Sequence, residues 1–203
     1  GSKAGPSPGD DYYKSGIDIY DVSDVENPKK IGEYYDHYGK VKGVHVEGDY
    51  AYVVEKGNGM KVLDLSDPSS PSKISHYNEK VDQYNGGAYF GFDISGDYAY
   101  LAKSNQLEIV DISDPTSPKL VGEYDDFCPV SFSEVTSSIT IKGDTAFISA
   151  WNDGLKIVDV SNPKDPTLIA QVFEINVDDY YEISDVVLLD DLAYVMDREN
   201  GLH

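Results

Sequence analysis

The sequence predicts an all-β fold in which one unit of four antiparallel strands recurs along the chain. Tight turns of the Gly-Asp or Asp-Asp type return at intervals of 47 or 48 residues. From Gly16 onward, no window shows the spacing of apolar residues that is typical of a helix. An Asp-containing phrase also recurs, as GIDIYDVSD at 16–24, GMKVLDLSDP at 59–68, QLEIVDISDP at 106–115 and GLKIVDVSNP at 154–163. Each copy is therefore one supersecondary unit.

The turns assign the four strands of each unit in order. The first strands are GVHVEG (43–48), GFDISG (91–96), SITIKG (138–143) and DVVLLD (185–190). A two-residue turn that tolerates positive φ joins each to a second strand. The second strands are YAYVV (50–54), YAYLA (98–102), TAFIS (145–149) and LAYVM (192–196). The recurrent phrase is the third strand, and its closing proline cannot continue the ladder. The fourth strands are KKIGEYY (29–35), SKISHYN (72–78), PKLVGEYD (118–125) and PTLIAQVF (166–173).

Four short antiparallel strands in a unit of this length predict a β-propeller blade, in preference to a β-helix or a sandwich. The third strand is apolar on both faces, with Val62 on one and Leu63 and Leu65 on the other, so we expect blades stacked face to face. The predicted divisions are a tag or linker at 1–15, a part-blade at 16–40, blades at 41–80, 88–127 and 135–175, and a part-blade at 183–203.

The two part-blades leave two arrangements open. They can pair and close a small ring of about four blades, or the chain can form an arc of a larger propeller. We favour the arc, because propellers built from such a repeat are expected to have more than four blades.

Composition excludes several partners. The net charge of −21 leaves nothing to neutralise a nucleic-acid backbone, and an anionic membrane surface would repel the chain. No run of eighteen apolar residues occurs, so membrane insertion is not expected. Cys128 is the only cysteine, which rules out an internal disulfide.

The third strands at 107–111 and 155–159, read with the fourth strands and with SGDYAYLA, closely resemble the LVIVD repeat family. The resemblance covers residues 16–203. It implies a propeller of the cell-surface or secreted type found in bacteria and archaea, and so an extracellular or cell-surface location. The repeat carries almost no information about activity.

Residues that recur in every unit are interpreted as scaffold. The signature aspartates are expected to accept hydrogen bonds from the backbone of the turn that follows them. Asp64 shares a face with Met60 and Val62, so we expect it to be largely buried. The aromatic residues at the ends of the fourth strands are expected to serve packing. The two sets are Asp21, Asp64, Asp111 and Asp159, and Tyr34, Tyr77, Tyr124 and Phe173.

Residues that do not recur are the candidates for function. In a propeller, the links from fourth to first strands and from second to third strands lie on one face. Here they carry carboxylates beside aromatic rings, a combination that suits stacking on sugars, cationic peptides or a divalent ion. A solvated rim of loops is the competing interpretation. The candidate ligand-binding residues are Tyr35, Asp36, His37, Tyr38, Tyr84, Asp125, Asp126, Trp151, Asp153, Asp178, Asp179, Tyr180 and Tyr181.

No catalytic, metal or cofactor site is predicted. The calcium-loop pattern is absent, no Gly-x-Ser-x-Gly occurs, and the four histidines lack zinc-ligand spacing. His45 aligns with Asp93, Thr140 and Val187, a position expected to line a hydrated central channel.

The sequence therefore favours a non-enzymatic surface or secreted module that binds a protein, peptide or glycan. One alternative is a hydrolytic domain acting on carbohydrate through a carboxylate pair on the same face. A second is a structural spacer of a larger surface protein.

Overall fold

A computed structural model describes residues 15–36, 40–78, 88–103, 106–125, 138–150, 154–172, 183–197 and 201–202. Within these ranges the chain forms five antiparallel sheets, in each of which the strand order follows the chain. Part-blade 1 comprises β1 (Ser15–Asp21) and β2 (Lys29–Asp36). Blade 2 comprises β3 (Lys40–Glu47), β4 (Tyr50–Lys56), β5 (Gly59–Asp64) and β6 (Ser72–Tyr77). Blade 3 comprises β7 (Tyr89–Ser95), β8 (Tyr98–Lys103), β9 (Gln106–Asp111) and β10 (Lys119–Tyr124). Blade 4 comprises β11 (Ser138–Lys142), β12 (Thr145–Ser149), β13 (Leu155–Asp159) and β14 (Thr167–Val172). Part-blade 5 comprises β15 (Ile183–Leu189), β16 (Leu192–Asp197) and β17 (Gly201–Leu202).

The predicted tight turns join the first and second strands. Gly48, Gly96 and Gly143 have φ near +57° to +59°, and Asp190 takes the same place with φ of +50°. Positive φ at this place matches the right-handed twist of the flanking strands, which is why glycine recurs there.

The core lies between blades, as the two-faced third strand predicted. Val62 packs in a cluster shared with blade 3, whereas its neighbour Leu63 packs in a cluster with Ile17 and Tyr34 of part-blade 1. Both β5 side chains are fully buried. Burial of each contributes about 1.5–3 kcal/mol, so blade 2 is held from both sides.

The sheets do not close into a ring. Part-blade 1 and part-blade 5 form separate sheets in the described residues, so the chain is an arc, the arrangement that the sequence favoured. The apolar residues Val46 on β3 and Val187 on β15 are 57% and 58% exposed. Each lies on a terminal surface of the arc.

The turn after each third strand docks on the preceding blade. The carbonyl of Pro68 lies over Gly32, and the carbonyl of Pro163 lies over Gly122. A Cβ at either glycine would lie 1.9 Å from that oxygen. At the equivalent place in blade 2, the Ser75 hydroxyl donates to the carbonyl of Pro115 at 2.6 Å. The proline of the repeat thus positions a carbonyl against a small residue of the preceding blade.

The signature aspartates accept hydrogen bonds from the backbone of the turns that follow the third strands, as the sequence predicted. Asp64 Oδ1 accepts a hydrogen bond from the Ser66 amide at 2.8 Å. Asp21, Asp111 and Asp159 make the same bond two residues onward, at 2.8–2.9 Å. Asp64 is only half-buried, so the expectation of deep burial was wrong. Its side chain bends toward the turn amide at the strand end, where neighbouring side chains do not cover it.

Polar groups also join the inner strands. Asp93 Oδ2 accepts a hydrogen bond from the Ile141 amide at 2.7 Å, and Thr140 Oγ1 donates to the Val186 carbonyl at 3.0 Å. These side chains belong to the register predicted to line a channel, and they bond to the next blade. No helix in the described ranges has the length and apolarity needed to cross a membrane.

Candidate functional site

The loop face is the edge formed by the links between fourth and first strands and between second and third strands. Because each sheet is an antiparallel meander, both kinds of link leave the same edge. Of the predicted binding residues, the structure describes Tyr35, Asp36 and Asp125. The others lie outside the described residues: His37, Tyr38, Tyr84, Asp126, Trp151, Asp153, Asp178, Asp179, Tyr180 and Tyr181.

Tyr35 is an exposed ring held in place by charges. Its side chain is 45% exposed, and its hydroxyl donates to Asp18 Oδ1 at 2.8 Å. Lys30 lies 2.7 Å from the same carboxylate and 5.8 Å from the centre of the Tyr35 ring. The bond to Asp18 raises the pKa of Tyr35, and the bond from Lys30 lowers the pKa of Asp18. The hydrogen bond to Asp18 therefore fixes the orientation of the Tyr35 ring, which remains exposed to solvent.

Asp36 ends β2 at the border with blade 2. Its Oδ2 atom lies 3.5 Å from Lys61 Nζ and 3.6 Å from Lys73 Nζ. The Tyr34 hydroxyl donates to the same oxygen at 3.2 Å. Burial, and then the Asp36 charge, raises the pKa of Tyr34 to about 12. Asp125, in contrast, is exposed at the end of β10.

Beneath Asp36 lies the first buried cluster, made of Glu55, Lys61, Asn58 and Ser15. Glu55 and Lys61 are 0% and 1% exposed, and Lys61 Nζ lies 2.8 Å from Glu55 Oε2. Asn58 Nδ2 donates to Glu55 Oε2 and Ser15 Oγ donates to Glu55 Oε1, both at 2.7 Å. Ser15 belongs to part-blade 1, so this carboxylate joins two blades.

The second buried cluster occupies the equivalent place between blades 2 and 3. Glu108 is 2% exposed, and its Oε1 accepts from Lys103 Nζ at 2.6 Å and from Gln106 Nε2 at 2.9 Å. Its Oε2 accepts from the hydroxyls of Tyr77 at 3.0 Å and Tyr89 at 2.7 Å. Burial, reinforced by the Glu108 charge, raises the pKa of both tyrosines.

Lys61 and Glu108 occupy the same position of the third strand, three residues before the signature aspartate, and the sign of the charge at this position alternates along the chain. It is acidic in part-blade 1, basic in blade 2, acidic in blade 3 and basic in blade 4, as Asp18, Lys61, Glu108 and Lys156. Lys156 is also buried, with Nζ 6.0 Å from the centre of the Tyr124 ring. These residues were not predicted from the sequence. Aligning the third strands would have revealed a charge in an apolar phrase, but not that it is buried.

These clusters are suited to rigidity rather than to proton transfer. The two oxygens of a carboxylate offer about four acceptor sites, and Glu108 has all four occupied by protein donors. Among the described residues, no group of three or more His, Cys, Asp or Glu side chains is arranged to hold a metal ion. An open groove of about 610 Å³ lies at the opposite edge, beside the first-to-second-strand turns, and is lined by Thr140, Ile141, Lys142, Leu188, Asp190 and Asp191.

Three consecutive repeats of the chain match the LVIVD repeat, at residues 38–79, 90–126 and 135–173. The protein belongs to the LVIVD repeat family. No curated protein matches the chain at a significant level.

Solved structures similar to this LVIVD-repeat protein include propellers. A protein from Lactobacillus plantarum is 13% identical with a TM-score of 0.77, over 95% of this chain and 60% of that one. The β-propeller domain of Cps50 (Swd1) from Myceliophteria thermophila is 12% identical with a TM-score of 0.59, over 88% and 62%. The computationally designed Ika8 protein is 8% identical with a TM-score of 0.63, over 86% and 48%. The chain thus spans about half of Ika8 and three fifths of the other two. These similarities establish the propeller fold of repeated blades, which in general supports a role in binding.

Proposed function

We propose that this LVIVD-repeat protein is a non-enzymatic binding module at the cell surface or outside the cell. Its loop face would hold a protein, a peptide or a glycan. The observation that carries the proposal is the contrast between the two edges of the blades. One edge has uniform two-residue turns between first and second strands, and turns after the third strands that the signature aspartates stabilise by hydrogen bonds. The links of the loop face, in contrast, differ in length and sequence from blade to blade.

The links between fourth and first strands illustrate this variation. They occupy residues 37–39, 78–88, 125–137 and 173–182. Variable links on a rigid, repeated framework are where binding residues concentrate in many folds. The predicted aromatic and acidic residues fall in or beside these links, except Trp151 and Asp153, which lie in the link between β12 and β13 on the same face. Their placement supports recognition by ring stacking and by hydrogen bonds to carboxylates.

The buried clusters support the same proposal by making the base of this face rigid. Glu55 and Glu108 each connect two blades directly under the loops. Preorganised elements lower the entropy that binding must offset. The carboxylates of the first buried cluster give no support to the hydrolase alternative, because Asp36 and Glu55 both form ion pairs with Lys61. A catalytic carboxylate pair instead needs a bond to cleave between its members.

Screening on glycan and peptide arrays, with single variants of the loop face, tests the proposal. We expect Trp151→Ala and Tyr180→Ala each to weaken binding about 10-fold or more, since stacking of one ring contributes roughly 1–3 kcal/mol. Tyr20→Ala is the matched control, because Tyr20 is an exposed ring close to the turn edge. Absence of any ligand on the arrays, or equal binding by all three variants, would refute the proposal.

The location is tested separately. Antibody labelling of intact source cells should detect the protein without permeabilisation. Labelling only after permeabilisation would contradict an extracellular or cell-surface location and leave the binding experiment unaffected.

A further inference from the structure

Three lysines meet at the loop face of blade 2, on its inner strands. Lys40 and Lys42 lie at the start of β3, and Lys56 ends β4. Lys40 and Lys42 are exposed, and Lys56 is half-buried. We call Lys40, Lys42 and Lys56 the lysine patch. Such a concentration of positive charge stands out in a chain whose net charge is −21.

The pairing of β3 with β4 places two of these charges against each other. Lys40 lies directly opposite Lys56 in the antiparallel register. Residues at such positions have Cβ atoms about 4.5–5.5 Å apart, and like charges there destabilise the sheet. An anion bound between the two ammonium groups would offset their repulsion.

A β-bulge brings the third lysine to the same place. Lys42 is the extra residue where the register of β3 shifts between Val41 and Gly43. Phe90 is the extra residue at the equivalent place of β7. Bulges change the direction in which a side chain points. Lys42 Nζ lies 5.2 Å and Lys56 Nζ 4.6 Å from the centre of the buried Phe90 ring. The two ammonium groups are thus no farther apart than the sum of these distances.

The neighbouring carboxylate does not neutralise the patch. Glu55 precedes Lys56 in the sequence, but it is fully buried and its oxygens belong to the first buried cluster. Among the residues that the structure describes, no carboxylate forms an ion pair with Lys40 or Lys42. The exposed part of the lysine patch therefore keeps its positive charge toward solvent.

The opposite edge of the inner strands has the reverse charge. The turns between first and second strands are acidic, so blade 2 is positive at the loop face and negative at its turn. At physiological ionic strength such a local potential extends only about 8 Å. A ligand must therefore bring its own negative group directly to the lysine patch. The acidic residues in or beside the turns are Glu47, Asp49, Asp97, Asp144, Asp190 and Asp191.

We infer that the lysine patch binds the carboxylate of an acidic sugar, an inference that rests on the proposed function and specifies the class of ligand. A glycan is favoured over a protein because protein interfaces are depleted in lysine and enriched in arginine and aromatic residues. Acidic peptide motifs are recognised by arginine clusters, and Arg198 is the only arginine of the sequence. A lysine ammonium is a compact point charge with rotatable donors. It can therefore hold a carboxylate at the angle at which a sugar ring presents it.

Calorimetric titration with an oligogalacturonate and with a sialylated oligosaccharide, each beside its uncharged methyl ester, tests the inference. We expect at least one acid to bind, its ester to bind about 10-fold more weakly or less, and added salt to weaken binding of the acid. Lys42→Gln and Lys40→Gln should each weaken binding of the acid about 10-fold, with unchanged circular dichroism, because a charge-assisted contact is lost. Lys142→Gln is the matched control, since Lys142 lies on a first strand at the turn edge, and it should bind like the parent chain.

Four results would overturn the inference. Equal binding of acid and ester would mean that uncharged groups determine recognition, and no binding of either acid would mean that the patch is not a carboxylate site. Unchanged affinity in both lysine variants would place the acid elsewhere on the protein. Tighter binding of an aspartate-rich peptide than of either acid would indicate a protein partner instead.

The proposed function fails by a different result, the absence of any array ligand or equal binding by the ring variants and their control. A neutral glycan or a peptide whose binding depends on Trp151 but not on Lys42 would leave the binding module in place and overturn only the acidic sugar. Loss of binding of the acid in both Trp151→Ala and Lys42→Gln would support the two together.

Discussion

Lys61 and Glu108 occupy the same position of the third strand in consecutive blades and carry opposite charges. Each is buried against a residue at the end of the second strand, Glu55 for Lys61 and Lys103 for Glu108. The ion pair is thus present in both blades with its polarity reversed. A buried pair adds little net stability, but removing one partner leaves the other charge without compensation in a medium of low dielectric.

Glu108→Gln should therefore destabilise the protein strongly. The amide cannot balance Lys103, and its NH₂ group opposes one of the donors that Glu108 now accepts. We expect a loss of roughly 3 kcal/mol in the free energy of unfolding, as for other buried pairs that lose one member. Urea unfolding monitored by circular dichroism measures it. Glu123→Gln, on the exposed side of β10, is the control and should change stability by less than about 0.5 kcal/mol.

Reversing the pair gives a sharper test. Glu108→Lys combined with Lys103→Glu reproduces the polarity of blade 2 and should recover part of the stability that Glu108→Lys alone loses. A double variant no more stable than the single would show that the tyrosine hydroxyls, rather than the ion pair, determine this position.

Gly122→Ala should weaken the contact between blades 3 and 4. The added Cβ would lie 1.9 Å from the Pro163 carbonyl, so the backbone must shift. We expect a loss of about 1–3 kcal/mol, typical of overpacking. Ser75→Ala is the matched control, because it removes one hydrogen bond without adding bulk and should cost only about 1 kcal/mol. Thermal unfolding of both variants checks the order; a Gly122→Ala variant as stable as the parent chain would contradict the docking.

Stability should fall in acid because of the signature aspartates. Two hydrogen bonds lower the pKa of Asp111: the larger effect comes from the Ser113 hydroxyl, and the next from the Ser113 backbone amide. Bonds from Ser66 and Ser161 do the same for Asp64 and Asp159. A carboxyl whose pKa is lower in the folded state stabilises above its unfolded pKa of about 3.9, and that contribution is lost as pH falls through the folded value.

Asp111→Asn should therefore reduce the dependence of the unfolding midpoint on pH between about pH 5 and 2.5. Asn162→Asp is the reciprocal variant, since the fourth repeat has an amide where the three others have Asp24, Asp67 and Asp114. It should increase that dependence. Parallel urea titrations at several pH values measure both, and identical slopes would refute the linkage.

Tyr89→Phe should act at the alkaline end. Burial and the Glu108 charge raise the pKa of Tyr89, so its contribution is complete below the unfolded pKa of about 10 and is lost as pH rises beyond it. The variant should lose about 1.5–3 kcal/mol at neutral pH, as expected for a hydrogen bond to a charged group, and show a shallower decline above pH 10. Tyr20→Phe, in an exposed position, should be as stable as the parent chain at neutral pH. An unchanged alkaline decline in Tyr89→Phe would contradict this reading.

The sequence predicted the strands, turns and stacking of blades because these depend on local pattern. Period-two apolar spacing, positive-φ turns and the apolar residues on both sides of Val62 and Leu63 each carry their own physical signal. Counting strands left a closed ring and an arc open, and the sheets of the described residues, which do not close, agree with the favoured arc.

Relations between distant residues could not be predicted in this way. Glu108 contacts Tyr77 across 31 positions, and Gly122 lies under Pro163 of another repeat. Neither contact has a local signature. At the loop face, Tyr35 and Asp36 stay predicted binding residues. Their partners could not be read from the sequence, because Asp18 meets Tyr35 only when β1 pairs with β2, and Lys61 meets Asp36 only when two blades stack.

The division between short locked turns on one edge and links of varied length on the other also affects how the chain tolerates insertions. A foreign peptide inserted between Gly96 and Asp97 would disrupt a left-handed turn and the strands that depend on it. The same peptide placed after Asp125 would enter a connection that already differs in length from its counterparts. Protein engineers who want a multivalent display scaffold would find several acceptor positions along a single rim of this arc.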